Sequence, residues 1–338
     1  MCRCMVNHAS LHNWLVVSCC LFLSMLMLHN KKQDENVEGL KMEKICFIGL
    51  GNMGRPMAMN LMNAGYQVSG FDVVAAACEM FVQDGGHVCE DLNNDLSVAD
   101  IVITMLPAGP QVRRVYEDTI LPNVNSSAIL IDCSTIDVAT ARSVAAEALA
   151  RGIVMIDAPV SGGTVGAKAG TLTFMVGGPD EVVEKTRPIL DIMGQKIVHA
   201  GASGNGQAAK ICNNMMLGIQ MLSVAEAFNL AESLGLEAQK LFDISSTSSG
   251  QCWSLTTYCP VPGPVPTSPA NNDYKPGFSV AMMHKDLSLA EMTAMDGKVA
   301  TPLGNHAASL YRMFCAAGGE DMDFSSIINF LKNGQSKP

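Results

Sequence analysis

Residues 204–218 read GNGQAAKICNNMMLG, and inside this mostly apolar stretch Gln207, Lys210 and Asn214 are spaced three and four apart. On an α-helix that spacing puts all three on one face. A lysine there snorkels to water, pairs with a carboxylate, or occupies a site that needs an amine. The third case has a definite chemistry. Burial disfavours the ammonium form, and a neutral amine can serve as a base. From the pattern alone, a surface lysine and a catalytic base both remain open.

A second constellation lies near residue 50. The apolar run KICFI (44–48) leads into GLGNMG, where Gly49, Gly51 and Gly54 alternate with Leu50, Asn52 and Met53. An apolar-periodic segment and another strand follow, ending at Asp72, eighteen residues past the last glycine. Strand, glycine turn, helix, strand and carboxylate stand in the order of a dinucleotide site, with the pyrophosphate resting on amides at the helix N-terminus. Asp72 is either a turn residue or the ligand of the ribose hydroxyls. In the second role its charge repels a 2′-phosphate and selects NAD over NADP.

The elements that must position these groups follow from periodicity. Apolar strands ADIVITMLP (99–107), AILIDCST (128–135) and IVMIDAPV (153–160) alternate with helical segments such as DVATARSVAAEALARG. This predicts an α/β fold: a Rossmann-type, doubly wound parallel sheet covered on both faces. Loops at the carboxyl ends of such strands face the ligand crevice, so Leu106, Pro107 and Thr135 are either plain loop residues or contacts for the nicotinamide half. The glycine-rich DAPVSGGTVGAKAG (157–170) reads as a loop before the strand TLTFMVGG. Its amides, with the Ser161 hydroxyl, make either tight turns of a hairpin or a concavity for a small carboxylate. Beyond residue 204 the β pattern stops. Helices are expected over 207–234, 237–245, 279–295 and 302–317, with a proline-rich loop or linker before the third. The predicted organisation is a leader or gene-model extension at 1–41 outside the fold, a nucleotide-binding domain at 42–203 and an all-helical domain at 204–335.

Bulk properties narrow the function. The chain has 338 residues, 48% of them hydrophobic, and a net charge of −10, which argues against nucleic acid as a partner. Its twelve cysteines show no metal-ligand spacing and read as reduced core thiols, and no metal is expected. The apolar run WLVVSCCLFLSMLML (14–28) is short for a membrane span and closer to a signal-peptide core, but it has a weak basic flank, no small-residue cleavage site and no mitochondrial presequence pattern. It is excluded from the fold, and no membrane partner is expected for the folded part.

Four segments, GLGNMG, DAPVSGGTVGAKAGTL, GNGQAAKICNN and KDLSLA (285–290), occur in an order that resembles the β-hydroxyacid dehydrogenases, relatives of 6-phosphogluconate dehydrogenase. The likeness runs from about Lys44 to Leu331. It implies a small hydroxy acid as substrate and NAD as cofactor, with Lys210 as general acid/base and Asn214 orienting substrate and amine. Ser161, Gly162 and Gly163 would hold the substrate carboxylate and Lys285 would approach the cofactor, while Gln207 would be a hydrogen-bonding neighbour and His284 a bystander. The stretches SSGQCWSLTTYCPVPGPVPTSPANNDY and LYRMFCAAGGEDMDFSSIINFL resemble the branch that oxidises (S)-3-hydroxyisobutyrate to methylmalonate semialdehyde in valine breakdown. The resemblance also implies a homo-oligomer, dimer or tetramer, in the mitochondrial matrix. Two alternatives stay open: a sibling tartronate semialdehyde or glyoxylate reductase, and a non-catalytic NAD-binding module.

Overall fold

The structure, a computed structural model, describes residues 43–333; the apolar run at 14–28 lies outside the described residues. Strand β1 (Lys44–Ile48) is buried from Ile45 onward, as a strand covered on both faces must be. It is followed by α1 (Gly54–Asn63), β2 (Gln67–Phe71), α2 (Ala75–Gln83), β3 (His87–Val88), α3 (Leu92–Val98) and β4 (Ile101–Thr104). Then come α4 (Gly109–Val115), β5 (Ile129–Asp132), α5 (Val138–Ala150) and β6 (Val154–Asp157). These six strands lie in the order β3-β2-β1-β4-β5-β6, all parallel, with Ile48 beside both Phe71 and Thr104. Two apolar layers cover the sheet, one including Phe47, Met57, Phe81 and Ile103, the other Cys46, Val102, Tyr116 and Leu130.

Past β6 the sheet departs from the purely parallel expectation. Strands β7 (Val160–Ser161) and β8 (Leu172–Gly177) pair antiparallel, β8 also meets β6 antiparallel, and β9 (Gly194–Gly201) runs parallel to β8. The glycine-rich segment is not a plain loop, because residues Gly163–Ala169 form a helix, α6. Tertiary contact overrides poor helix propensity there: Ala167 is fully buried, and its carbonyl accepts from Asn60 Nδ2 of α1 at 2.8 Å. A helix, α7 (Asp180–Met193), connects β8 to β9.

The remainder is helical. Helix α8 (Asn205–Ser233) is followed by α9 (Ala238–Ser245), α10 (Val280–Asp296), α11 (Pro302–Phe314) and α12 (Ile327–Asn333). Along α8, Lys210, Asn214, Gly218, Met221, Ala225 and Phe228 are buried at spacings of three and four. The apolar members join a core with Leu287, Tyr311 and Phe324, where each large side chain removed from water contributes about 1.5–3 kcal/mol. Helix α10 starts at a true cap, the Ser279 hydroxyl accepting from Met282 N at 3.2 Å. It crosses α8 closely at Gly218, where an added Cβ would sit 3.0 Å from Leu287 Cδ2. That approach brings Asp286, next to Leu287, against Asn214, one turn before Gly218.

The proline-rich stretch is an ordered loop rather than a linker. Ser268 donates to Cys259 O, Tyr274 donates to Pro260 O at 2.8 Å, and Trp253 stacks on Tyr258 with ring centres 4.9 Å apart. The eight described cysteines are all free thiols, and Cys46, Cys89, Cys133 and Cys259 are buried. Cys212 departs from the expectation of core thiols: two residues after Lys210, it falls on the outer face of α8 and is exposed. No helix among the described residues is long and apolar enough to cross a membrane.

Candidate active site

The glycine turn fits a dinucleotide by its own geometry. Gly49 has φ +101°, and a Cβ there would run into Met105 O, while one on Gly54 would strike Gly49 O. Above Gly51 nothing lies within 4 Å of such a Cβ, leaving the backbone open to a ligand. Helix α1 begins without a side-chain cap and without an acidic residue in its first turn, so its amides are available to phosphate oxygens. Asp72, at the end of β2, accepts from Leu50 N and Val74 N, both at 2.8 Å, which fixes the carboxylate beside the turn. Asn52 is exposed and Met53 half-buried at the same turn. A cleft of about 480 Å³ opens beside it, lined by Asn52, Arg55, Thr164, Lys168 and Pro276 among others; Lys210 is not on its wall.

A polar frame underlies the ends of β4, β5 and β6. Asp132 Oδ1 accepts from Thr104 Oγ1 at 2.8 Å and from Ser134 Oγ at 2.6 Å, while Ser134 Oγ accepts from Leu106 N at 2.8 Å. The other carboxylate oxygen, Oδ2, is buried without a hydrogen bond. Burial, set against these donors, pushes the Asp132 carboxyl up to about 6. Asp157 accepts from Gly204 N at 2.6 Å and Gln207 N at 2.9 Å, joining β6 to the first turn of α8. Burial outweighs these bonds and raises its carboxyl above the ordinary value.

On this frame stands the face of α8 that carries Gln207, Lys210 and Asn214, which are 0%, 7% and 2% exposed. Lys210 Nζ donates no hydrogen bond among the described residues. Burial lowers the pKa of its amine; the Asp286 charge pulls it back up and the Lys285 charge pushes it further down. Asn214 Nδ2 donates to Asp286 Oδ2, whereas Asp286 Oδ1 is buried with no hydrogen bond and lies 3.4 Å from Lys285 Nζ. Lys285 donates to Thr135 O at 3.0 Å and Pro107 O at 3.4 Å, so α10 clasps the ends of β4 and β5.

Thus Leu106, Pro107, Thr135, Lys285 and Asn214 belong to one connected cluster, whose Lys285 and Asp286 charges act on Lys210. Ser161 lies on β7 opposite Thr173, and Gly162 and Gly163, with φ +133° and +60°, turn into α6. This turn makes no hydrogen bond to Lys210 or Asn214. It meets the helical part at Gly277, whose carbonyl is 3.5 Å from the Cβ position of Gly163. Sequence reasoning missed Asp286 and Asp323. Asp323 is fully buried and accepts from Tyr258 Oη at 2.8 Å, Gly277 N at 3.0 Å and Ser325 Oγ at 2.7 Å, so it fixes the Gly277 segment. The KDLSLA motif contained Asp286, but only the α8–α10 crossing reveals that it faces Asn214.

A parallel nucleotide-binding sheet whose strand ends face a buried lysine defines a dinucleotide-dependent oxidoreductase. Comparison with known proteins agrees. Residues 44–201 match the model of the NAD binding domain of 6-phosphogluconate dehydrogenase, and residues 204–331 that of the NAD-binding domain of NADP-dependent 3-hydroxyisobutyrate dehydrogenase. A probable 3-hydroxyisobutyrate dehydrogenase of Mycobacterium tuberculosis is 52% identical over 292 residues, 86% of this chain and 98% of the relative. The human mitochondrial 3-hydroxyisobutyrate dehydrogenase is 45% identical over 86% of this chain and 87% of its own length. A Pseudomonas aeruginosa NAD-dependent L-serine dehydrogenase is 46% identical, over 85% and 97%. The solved M. tuberculosis 3-hydroxyisobutyrate dehydrogenase with L-serine superposes with a TM-score of 0.83 at 51% identity, covering 86% of this chain and 99% of that one. The chain belongs to the 3-hydroxyisobutyrate dehydrogenase family, related to 6-phosphogluconate dehydrogenase. It is an NAD-dependent oxidoreductase acting on a hydroxy acid.

Proposed function

We propose that the protein oxidises (S)-3-hydroxyisobutyrate to methylmalonate semialdehyde, with Lys210 as the general base. The observation that carries this reading is a buried amine without a hydrogen-bond partner, one turn from an asparagine fixed by a buried carboxylate. NAD, when bound, supplies the hydride acceptor; Gly49–Gly54 would cradle its pyrophosphate, Asp72 its ribose, and Leu106, Pro107, Thr135 and Lys285 its nicotinamide half. Lys210 takes the hydroxyl proton as the carbon–oxygen bond becomes double. Asn214 holds substrate and amine in register, and Ser161 with the amides of Gly162 and Gly163 binds the carboxylate. Because burial lowers the pKa of Lys210 below the ordinary 10.5, its neutral form is populated at lower pH, and oxidation speeds up as pH rises through that pKa.

The wider setting belongs to the same proposal. The step serves valine catabolism in the mitochondrial matrix, and the human relative's name supports the mitochondrion. A boundary at residues 203/204 separates the nucleotide domain from the helical one, supported by the end of β9 at Gly201 and the start of α8 at Asn205. Exposed Leu230, Leu234, Met292 and Met295 support a dimer or tetramer built through the helices, and a monomeric mass by light scattering at micromolar concentration would refute it.

The test is reduced-cofactor formation from (S)- and (R)-3-hydroxyisobutyrate, L-serine, glycerate and glycolate, under NAD or NADP. Turnover of the S form with NAD supports the proposal. Turnover confined to another hydroxy acid moves the protein to a sibling activity, and NAD binding without turnover of any makes it a binding module.

A further inference from the structure

We propose that Gln207 is a positioning residue for hydride transfer, tying the loop on the nicotinamide side to the helix that carries the base. This rests on the function proposed above and extends it to a residue that touches neither substrate nor proton.

Gln207 is fully buried, and every polar atom of its side chain is committed. Oε1 accepts from Ile136 N at 3.0 Å and Nε2 donates to Ser134 O at 2.7 Å, so the amide brackets Thr135 from both sides. Its own backbone amide donates to Asp157 Oδ2. The loop it grips continues the frame, since Ser134 Oγ accepts from Leu106 N and Thr135 O accepts from Lys285 Nζ. Lys210 stands three residues further along α8. A shift of the 134–136 loop against α8 therefore changes the separation between the nicotinamide wall and the base, the coordinate to which hydride and proton transfer respond most steeply. A glutamine suits the task because one planar amide supplies the donor and the acceptor that the two backbone groups require.

Two variants of the full chain test this. Gln207→Met keeps the volume and removes both bonds. It should lower kcat about 10- to 100-fold, with the KM for the hydroxy acid moving less than about threefold. The primary deuterium isotope effect, with substrate deuterated at the carbinol carbon, should rise. Gln207→Glu can still accept from Ile136 N but donates to Ser134 O only when protonated. It faces Asp157 of β6, Ser134 with Asp132 behind it on β5, and Lys210 on its own helix, so its kcat relative to wild type should climb as pH falls. If both variants only lower Tm and leave kcat per folded molecule and the isotope effect at wild-type values, the proposal is overturned. Should Gln207→Met not fold, a pH-independent kcat ratio for Gln207→Glu overturns it equally. Enzyme-bound NADH separates this from failure of the proposed function. With a wild type inactive on every hydroxy acid, a changed fluorescence anisotropy of NADH bound to Gln207→Met would still support the clamp, and an unchanged one would sink it.

Discussion

Two buried polar regions meet along α8, and they are satisfied to different degrees. In the frame under the strand ends, Asp157, Ser134 and Gln207 have their hydrogen bonds made, and Asp132 leaves a single oxygen unpartnered. One turn further along, Lys210 donates no hydrogen bond and Asp286 keeps an oxygen without one. Completed networks rigidify, whereas an unpaired buried amine is costly and persists only where something else compensates. On the proposed function, the contrast separates parts that hold geometry from parts that change charge during the reaction.

The largest expected effect falls on the reactive side. Lys210→Ala should cut kcat by about 10²- to 10⁴-fold, the usual weight of a general base. NAD affinity, measured by quenching of protein fluorescence, should stay within about twofold of wild type; a parallel collapse would erase the distinction. Next comes the frame. Asp157→Ala strands the amides of Gly204 and Gln207, and losing two bonds to a carboxylate should cost about 3–5 kcal/mol in urea unfolding.

Asp132 sharpens the comparison through pH. Its folded pKa of about 6 exceeds the ordinary 3.8, so the folded state holds the proton longer than the unfolded chain. Its contribution is most favourable below pH 3.8, declines as pH rises to about 6, and is constant above, a difference of about 3 kcal/mol. Asp132→Asn should flatten the Tm profile over that window, and an unchanged slope would mean the carboxyl ionises as freely as in water. The smallest effect is a gain. The lowered pKa of Lys210 means its charged form is penalised on folding, so Lys210→Met should raise Tm slightly while cutting turnover as Lys210→Ala does. A loss of stability instead would show that the amine is better satisfied than its surroundings indicate.

Much of this arrangement is legible in the sequence, for reasons that differ by residue. Gly49, Gly51 and Gly54 carry their geometry in their type and spacing, and the apolar runs at 45–48, 101–104 and 129–132 announce covered parallel strands. Lys210 and Asn214 are readable because a helix period puts them on a face that is otherwise buried. Other features depend on what the chain meets in space. The helix Gly163–Ala169 forms in a segment rich in a poor helix former because α1 and β8 pack against it. The hairpin reading of the glycine-rich segment anticipates β7 against β8, but the antiparallel pairing of β8 with β6 has no local signal, since alternation does not specify strand direction. Asp286 and Asp323 look like solvated charges in sequence, and only the α8–α10 crossing and the return of residues 277–278 bury them.

The junction of Asp157 with α8 also decides where the molecule can draw in negative charge. Aligned peptide dipoles leave about half a positive charge at a helix N-terminus. In α8 that field is met inside the protein by the Asp157 carboxylate, so the helix bearing Lys210 offers little electrostatic attraction to an incoming phosphate. Helix α1, with no acidic residue in its first turn, keeps its field directed outward over Gly51. On the proposed function the two helices divide the labour: one would steer the anionic cofactor to a single end, and the other would stay electrically quiet around an amine that exchanges a proton.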